Sequence, residues 1–182
     1  AENALQRVEG DFAFALWDEA TQRLLLARDC MGARPLHFHC GKDFFAFASM
    51  PKGLHAVPEI PYAPNEQAMA EFVTLLPERR NQSFFKGVDR LLAGQFAIFT
   101  RAGVKIQNYW QPKPPGSLRL KDDDAYVDAA RHHLERAVRA RLRGANGVVG
   151  AHLSAGYDSA SVATTAARVM APSGGRVVAF TH

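Results

Sequence analysis

Apolar and polar residues alternate along much of the first hundred positions, with the two-residue period of β-strands. In residues 10–18, the apolar side chains of Phe12, Phe14 and Leu16 fall on one side of the chain. Polar or glycine-containing turns separate neighbouring segments, which predicts hairpins. The segments are GDFAFALWD (10–18), RLLLARD (23–29), PLHFHC (35–40), DFFAFAS (43–49), GQFAIFT (94–100) and VKIQNYW (104–110). The first four predict an antiparallel sheet, and apolar residues on both of its faces indicate that both are covered.

The apolar period lengthens to three and four residues at positions 65–76, NEQAMAEFVTLL. This spacing predicts a helix capped by Asn65. Its apolar positions are Met69, Phe72, Val73 and Leu76.

Residues 111–124, QPKPPGSLRLKDDD, contain three prolines and a glycine and have no periodicity. Such a stretch is typical of a linker between domains. We therefore expect one domain over residues 1–111, a linker over 112–122 and a second domain over 123–182.

Helix and strand patterns alternate in the second domain. Aspartates at 122–124 can cap a helix that ends at Gly144, and its apolar stripe is Val127, Ala130, Leu134, Val138 and Leu142. GVVGAHL (147–153) is apolar without alternation, which predicts a strand buried in a parallel sheet. A polar turn, the helix SASVATTAARVMA (159–171) and the strand RVVAFTH (176–182) complete a β-α-β unit, for which we expect a right-handed crossover. Two parallel strands leave both sheet edges open, so we expect the chain to be part of a longer protein.

Composition narrows the classes of protein. The chain has 182 residues, of which 47% are hydrophobic and 22% charged, as in packed globular domains. No apolar run is long enough to cross a bilayer and no secretory signal begins the sequence, so we expect a soluble cytoplasmic protein without a membrane partner. The formal net charge is +4, but the basic residues are scattered, and those at 131–144 fit a solvated helix face better than a nucleic-acid interface.

The turn in HLSAGYDSASVA (152–163) has the chemistry of an anion site. It leads from a strand into a helix N-terminus, where unpaired N–H groups and the helix dipole favour negative charge. Gly156 leaves the main chain open to a phosphate oxygen, Ser154 and Ser159 supply hydroxyls, and Asp158 can hold Mg²⁺. These groups suit a pyrophosphate. Neither GxxxxGK[ST] nor GxGxxG occurs, and a serine-hydrolase elbow needs a small residue where His152 stands. A capped loop without a ligand remains an alternative.

The stretch VGAHLSAGYDSASVA (149–163) resembles the SGGxDS pyrophosphate-loop motif of N-type ATP pyrophosphatases, in the form found in asparagine synthetases. Further segments resemble that family in the same order along the chain. They are EGDFAFALWD (9–18), LLLARDCMGARPLHF (24–38), FASMPKGL (47–54), SFFKGVDRLLAGQ (83–95) and YWQP (109–112). The resemblance therefore covers nearly the whole sequence.

The resemblance implies a particular fold and chemistry. It implies the C-terminal part of a glutaminase-like domain, an α+β antiparallel sandwich of the Ntn-hydrolase type, followed by the N-terminal part of an α/β parallel-sheet PP-loop ATP pyrophosphatase domain. In the family, ATP and Mg²⁺ activate a carboxylate, typically that of aspartate, as an acyl-adenylate, and pyrophosphate is released. An amine, or ammonia from glutamine, then attacks the activated carbonyl. Small-molecule carboxylates and amines or glutamine are thus the implied substrates, and a homodimer is compatible with the resemblance.

Site residues carry over by position. Leu153 would line the adenine site, and the pyrophosphate loop would comprise Ser154, Ala155, Gly156, Tyr157, Asp158 and Ser159, with Asp158 reaching Mg²⁺. Two of these positions depart from the motif. Ala155 replaces the first glycine, which is tolerated at negative φ, and Tyr157 stands where leucine is common. Neither change removes a phosphate-binding group, although the effect of Ala155 on ATP affinity stays open.

No catalytic residue is assigned within the chain. An Ntn amidase uses an amino-terminal Cys, Ser or Thr, whereas the sequence begins with Ala1, and both Cys30 and Cys40 are internal. We expect these residues alone to be inactive and the longer protein to be a carbon–nitrogen ligase. The alternatives are a relative that closes a lactam or macrolactam without using glutamine, and a non-catalytic nucleotide-binding scaffold.

Two further groups of residues invite a functional interpretation. Cys30, His37, His39 and Cys40 include zinc-ligand types, but His37 and His39 point to one face of a strand and Cys40 to the other, so packing is favoured. Asp29 and Arg34 are predicted to form an ion pair that shapes the connection between hairpins.

Overall fold

The computed structural model describes residues 2–76, 81–113, 116 and 118–181. The chain divides into two compact units, Ala1–Pro114 and Pro115–His182. The division falls within the stretch for which a linker is predicted. Residues 114, 115 and 117 of that stretch lie outside the described residues, as does the last residue of the predicted strand at 176–182.

Unit 1 is an α+β structure with two antiparallel sheets. A four-stranded sheet has the strand order β1-β2-β6-β7, and a three-stranded sheet has the order β4-β3-β5. The strands are β1 (Ala13–Asp18), β2 (Arg23–Arg28), β3 (His37–Cys40), β4 (Phe45–Ala48), β5 (Asp89–Arg90), β6 (Gln95–Thr100) and β7 (Gly103–Asn108). A 3₁₀ helix, Glu2–Arg7, precedes them, and two helices lie between β4 and β5, α1 (Pro51–Leu54) and α2 (Glu66–Val73).

The predicted hairpins form, but the first four strands do not share one sheet. β1 pairs with β2 and β3 with β4, as predicted. β2 then pairs with β6, whereas β3 pairs with β5. The sequence prediction missed this division because the partner strands that separate the two hairpins lie about 70 residues (β6) and about 50 residues (β5) further along the chain.

The two sheets of unit 1 share a core. Phe38 of the three-stranded sheet meets Phe99 of the four-stranded sheet edge to face, with ring centroids 5.4 Å apart. Aromatic pairs in this geometry add about 0.5–1.5 kcal/mol beyond the burial of their area. The buried cluster consists of Leu26, Leu36, Phe38, Leu91, Ala97 and Phe99. On the opposite face of the four-stranded sheet, Leu5 of the 3₁₀ helix packs with Leu25, Ala27 and Phe96.

A buried carboxylate shapes the loop between β2 and β3. Asp29 is 1% exposed, and its oxygens accept hydrogen bonds from the main-chain N–H groups of Met31 (3.0 Å), Ala33 (2.9 Å) and Arg34 (3.0 Å). The predicted ion pair between Asp29 and Arg34 is therefore wrong. Arg34 contacts the carboxylate through its backbone N–H and not through its guanidinium group. Burial of Asp29 opposes ionisation, yet these N–H donors hold the pKa of its carboxyl below the ordinary value.

Arg28 and Gly94 complete this junction. The guanidinium group of Arg28 donates to the carbonyl oxygens of Gly32, Arg34 and Leu91. Gly94 has a φ of 68°, its N–H donates to Asp29 O, and its carbonyl accepts from the N–H groups of Tyr109 and Trp110. A Cβ at position 94 would lie 2.6 Å from the Trp110 carbonyl oxygen, so both the backbone conformation and the space require glycine.

Helix α2 begins as predicted and then exposes its apolar side. The Asn65 side chain accepts a hydrogen bond from Ala68 N, which confirms the predicted cap. No residue of α2 is buried, and Phe72 and Val73 are 62% and 78% exposed. Leu75, just beyond the helix, has a φ of 55°, a region that non-glycine residues seldom adopt.

Unit 2 contains one parallel β-α-β unit preceded by a helix. The elements are α3 (Asp123–Arg141), β8 (Val148–His152), α4 (Tyr157–Met170), a 3₁₀ helix (Ala171–Ser173) and β9 (Arg176–Phe180). Asp122 caps α3 through Ala125 N, and β8 and β9 run parallel, both as predicted. The handedness of the crossover stays a prediction.

The apolar positions of unit 2 are less buried than the sequence predicted. The predicted stripe of α3 contributes one buried residue, Val138, while Val127 is 45% exposed. β8 alternates between exposed and half-buried residues, so its predicted full burial is wrong. Helix α4 packs against β8 and β9 and buries Ala163, Ala166 and Met170, but no second layer among the described residues of unit 2 covers the strands on the other side. Among the helices that the structure describes, none is long and apolar enough to span a membrane.

Candidate functional site

The loop between β8 and α4 begins at the last hydrogen-bonded step of the parallel pair. β8 ends at His152, and the N–H of Leu153 still donates to Phe180 O at 2.8 Å. Four residues, 153–156, connect this step to α4, whose N-cap is Gly156. The loop therefore leaves the carboxyl end of a parallel strand and enters a helix N-terminus, where the helix dipole is positive.

A serine of the loop and a serine of the first turn of α4 contact each other. Ser154 Oγ and Ser159 Oγ are 2.8 Å apart, and Ser159 Oγ also accepts from Ser154 N at 3.1 Å. Ser154 Oγ accepts from Gly156 N at 3.2 Å. Ser159 lies one turn into α4, so the five-residue spacing brings its hydroxyl back over the loop. The structure thus gathers Ser154, Gly156 and Ser159 into one group of donors and acceptors.

The two positions at the motif's glycines have ordinary backbone angles. Gly156 has φ −88° and ψ 156°, and Ala155 does not have a positive φ, so its methyl group introduces no strain. A Cβ at Gly156 would lie 3.3 Å from Ser154 Oγ, with no other heavy atom within 4 Å outside the adjacent residues. Glycine at 156 is therefore not required by conformation. It keeps open a space directly beside the serine hydroxyl.

The remaining predicted residues surround this group without joining its hydrogen bonds. Asp158 is exposed in the first turn of α4, where its negative charge also favours the helix. Tyr157 is 92% exposed, and Leu153 is half-buried. Carboxylate and hydroxyl oxygens are ligands of the kind that Mg²⁺ prefers, and Mg²⁺ usually keeps several waters as well.

Sequence reasoning missed two contacts beside the loop. It assigned each serine to a ligand and did not foresee the bond between Ser154 and Ser159. It also missed the contact between Phe180 and Gly150. The Phe180 ring packs so close to Gly150 that a Cβ at position 150 would lie 2.9 Å from Phe180 Cε2. The sequence pattern predicted that the two strands are parallel but not their register. In the structure Phe180 pairs with His152, two residues after Gly150.

Comparison with known proteins gives the family. A model of the glutamine amidotransferase domain matches residues 1–110, and a model of asparagine synthase matches residues 129–182. With these two matches in this order, the chain belongs to the asparagine synthetase family.

Individual relatives agree with the family models. A Mycobacterium tuberculosis protein provisionally named asparagine synthetase (glutamine-hydrolysing) is 35% identical over 170 residues, which cover 90% of this chain and 26% of that protein. Asparagine synthetase (glutamine-hydrolysing) 3 of Bacillus subtilis is 29% identical over 167 residues, or 91% of this chain and 27% of its own. Amidase chyE of Penicillium rubens is 31% identical over 169 residues, or 91% of this chain and 24% of its own. The chain spans about a quarter of the length of these relatives.

Proposed function

We propose that the natural protein is an ATP-dependent ligase that forms an amide bond. In this proposal residues 123–182 begin a PP-loop ATP pyrophosphatase domain, and ATP with Mg²⁺ converts a substrate carboxylate into an acyl-adenylate. The carboxylate oxygen attacks the α-phosphorus, the bond to the β-phosphate oxygen breaks, and pyrophosphate leaves. An amine or ammonia then attacks the acyl carbon, and AMP leaves with the electron pair of the broken bond.

One observation carries this proposal: Ser154, Gly156 and Ser159 converge at the N-terminus of α4, directly after a parallel strand. A pyrophosphate bound there would exchange the bond between the two hydroxyls for bonds to its own oxygens. Gly156 N, which now donates to Ser154 Oγ, would become available to a phosphate oxygen. Asp158 would hold Mg²⁺ beside the phosphates, and Leu153 would contact the adenine.

Unit 1 supports a glutamine-dependent form of the same reaction. Residues 1–110 match the glutamine amidotransferase domain, and two antiparallel sheets with a shared core are compatible with the Ntn-hydrolase sandwich. We propose residues 1–111 as part of that domain. Ammonia released from glutamine would then be the amine that attacks the acyl-adenylate.

Release of pyrophosphate and AMP by the natural protein tests the proposal. The protein is incubated with ATP, Mg²⁺, aspartate or other small carboxylates, and glutamine or ammonia. We expect pyrophosphate and AMP in equal amounts, and Asp158→Asn should lower their rate of formation by at least about 100-fold because the metal ligand is lost. Asp128→Asn, a change at an exposed aspartate of α3, is the matched control and should leave the rate unchanged. Full activity of Asp158→Asn would remove Asp158 from the metal site.

A second candidate function keeps adenylation and replaces the amine. The similarity to a protein named amidase chyE, which is not named a synthetase, favours considering a relative that does not make asparagine. A lactam- or macrolactam-forming protein would release pyrophosphate with a substrate that carries its own amine and would ignore glutamine. A nucleotide-binding scaffold would bind ATP and release no pyrophosphate with any carboxylate.

A further inference from the structure

The connection between α3 and β8 contains a peptide unit of high chemical reactivity. Asn146 precedes Gly147, and it is the one asparagine of the sequence that a glycine follows. An asparagine in this position can lose its side-chain amide without an enzyme, because glycine has no Cβ to shield its nitrogen from the neighbouring side chain. Gly147 has a φ of 78°, a conformation that favours glycine. The reactive sequence is therefore one that the backbone itself favours.

The structure leaves both reacting groups accessible. The Asn146 side chain is exposed and makes no hydrogen bond with any residue that the structure describes. The N–H of Gly147 likewise donates to no group in the described part of the chain. A Cβ at position 147 would meet no heavy atom within 4 Å outside the adjacent residues. Among the described residues, none therefore blocks the approach of the asparagine side chain or of water to this nitrogen.

Three asparagines of unit 1 serve as internal comparisons, because hydrogen bonds hold each of them. The side-chain amide of Asn81 donates two hydrogen bonds of 2.7 Å, and the Asn65 side chain caps α2. After Asn108 the attacking nitrogen would be that of Tyr109, whose N–H donates to Gly94 O at 2.9 Å. An asparagine or a following N–H that is held in this way is slow to reach the geometry of attack. Asn146 differs from these three in both its neighbour and its lack of such bonds.

We propose that Asn146 and Gly147 form a site of spontaneous deamidation and isomerisation. Hydroxide removes the proton of the Gly147 nitrogen, which attacks Asn146 Cγ. The bond from Cγ to the side-chain nitrogen breaks, and ammonia leaves after that nitrogen takes a proton from water. Water then opens the five-membered succinimide ring. Cleavage of the ring bond from nitrogen to Cγ gives aspartate, and cleavage of the bond from nitrogen to the main-chain carbonyl carbon gives isoaspartate.

Isoaspartate acts on the start of the parallel strand pair. Gly147 O accepts a hydrogen bond from Arg176 N at 2.9 Å, directly before the first paired residues, Val148 and Arg176. In isoaspartate the main chain runs through Cβ and Cγ, so one carbon is added between Asn146 Cα and the Gly147 nitrogen. The chain then enters β8 in a different direction, and the conversion weakens this hydrogen bond. The reaction needs only water, so it does not depend on the proposed binding of ATP.

Mass spectrometry of the incubated natural protein tests the site. The tryptic peptide 144–168 has Asn146 as its one side-chain amide, so a gain of about 1 Da in this peptide reports that residue alone. Electron-transfer fragmentation distinguishes isoaspartate from aspartate. We expect conversion at least about tenfold faster at pH 9 than at pH 7, because the attack needs the deprotonated nitrogen. The peptides that contain Asn65, Asn81 and Asn108 should show no conversion of these residues over the same period.

A synthetic peptide with the sequence of residues 143–149 gives the rate in the absence of structure. We expect the natural protein to convert at a rate within about tenfold of this peptide, because neither reacting group is held by a hydrogen bond. A protein that converts more than about tenfold more slowly than the peptide overturns the proposal. Conversion of Asn108 at a rate equal to that of Asn146 also overturns it, since the structure would then not select the site.

Asn146→Gln is the matched variant, because it keeps the amide and moves it one carbon away. It should convert at least about tenfold more slowly, since the ring that it closes has six members. Position 146 is exposed, so the variant should retain the fold, as judged by circular dichroism.

Hydrogen exchange measures the effect on the strand pair. In converted natural protein the N–H of Arg176 should exchange at least about fivefold faster than in fresh protein, and in Asn146→Gln after the same incubation it should exchange at the fresh rate. Equal exchange in fresh and converted natural protein overturns the effect proposed for β8 and β9.

Discussion

At the scale of single residues, Asp29 has the clearest structural role. One carboxylate satisfies three main-chain donors in the space of four residues, and it does so where almost no water reaches it. Hydrogen bonds to a charged group are worth about 1.5–3 kcal/mol each, and buried donors that lose their acceptor cost a similar amount. The conformation of the loop between the two hairpins therefore depends on the hydrogen bonds that the Asp29 side chain accepts.

We expect Asp29→Asn to lower the free energy of unfolding by about 2–4 kcal/mol, because the amide has one acceptor oxygen in place of two and loses the charge. Chemical denaturation measures this loss. Asp18→Asn is the control, since Asp18 also accepts from two backbone N–H groups but in an exposed turn, and it should cost far less. Equal losses for the two variants would contradict the role given to Asp29.

The effect of Asp29 should depend on pH with a defined sign. Its pKa is lower in the folded protein than the ordinary value of 3.8, so its contribution is fully present above 3.8 and is lost as the pH falls through the folded pKa. The difference in stability between the natural chain and Asp29→Asn should accordingly be constant near neutral pH and shrink below about pH 3.8. A difference that grows on acidification would contradict this linkage.

A change of one methyl group should matter at Gly156 and not at Ala155, the two motif positions of the loop between β8 and α4. Gly156→Ala places a Cβ 3.3 Å from Ser154 Oγ and in the space left for a phosphate, so ATP affinity of the natural protein should fall at least about tenfold. Ala155→Gly removes a methyl group that causes no strain, so the affinity should change less than about threefold. Equilibrium binding of ATP with Mg²⁺ decides between these outcomes and an insensitive loop.

At the scale of elements, local sequence pattern was enough to predict each hairpin, the Asn65 and Asp122 caps, and the parallel strands β8 and β9. These features depend on residues within a few positions of one another. The division of the strands into two sheets depends on β5, which has only two residues and no pattern of its own, and on β6, which lies far along the chain. Periodicity carries no information about such partners.

Burial was the less predictable property of the elements. A stripe of apolar residues indicates a helix and says nothing about what covers it, as α2 and α3 show. The sequence likewise predicted that Asp29 and Arg34 interact but gave the wrong kind of contact. Residue types do not show whether a carboxylate binds the guanidinium group or the main-chain N–H of an arginine. In the loop between β8 and α4, the binding roles of the residues stay predictions, and the hydrogen bond between Ser154 and Ser159 could not be foreseen because it depends on the first turn of α4.

At the scale of the whole molecule, the two units differ in how much apolar surface they bury. Unit 1 has three buried clusters, whereas the buried apolar residues of unit 2 are Val138, Ala163, Ala166 and Met170 among those described. Burial of apolar area is the main favourable contribution to folding. The smaller core predicts the lower stability for unit 2.

Two spectroscopic signals should separate the units during unfolding of the chain. Both tryptophans, Trp17 and Trp110, belong to unit 1, while the two longest described helices, α3 and α4, belong to unit 2. We expect the helical signal in circular dichroism to be lost at a lower denaturant concentration than the change in tryptophan fluorescence, as for independent domains. Coincident transitions would show instead that the two units unfold as one.

The glycine at position 94 also limits how this structure can vary among related sequences. It ties the end of one strand to the start of another and to the chain that leaves the last strand of unit 1. Any side chain there would press on the Trp110 carbonyl while forcing an unfavourable backbone. A homologue with a bulkier residue at the aligned position must take a different path after its seventh strand, so this column of an alignment should separate two structural subgroups.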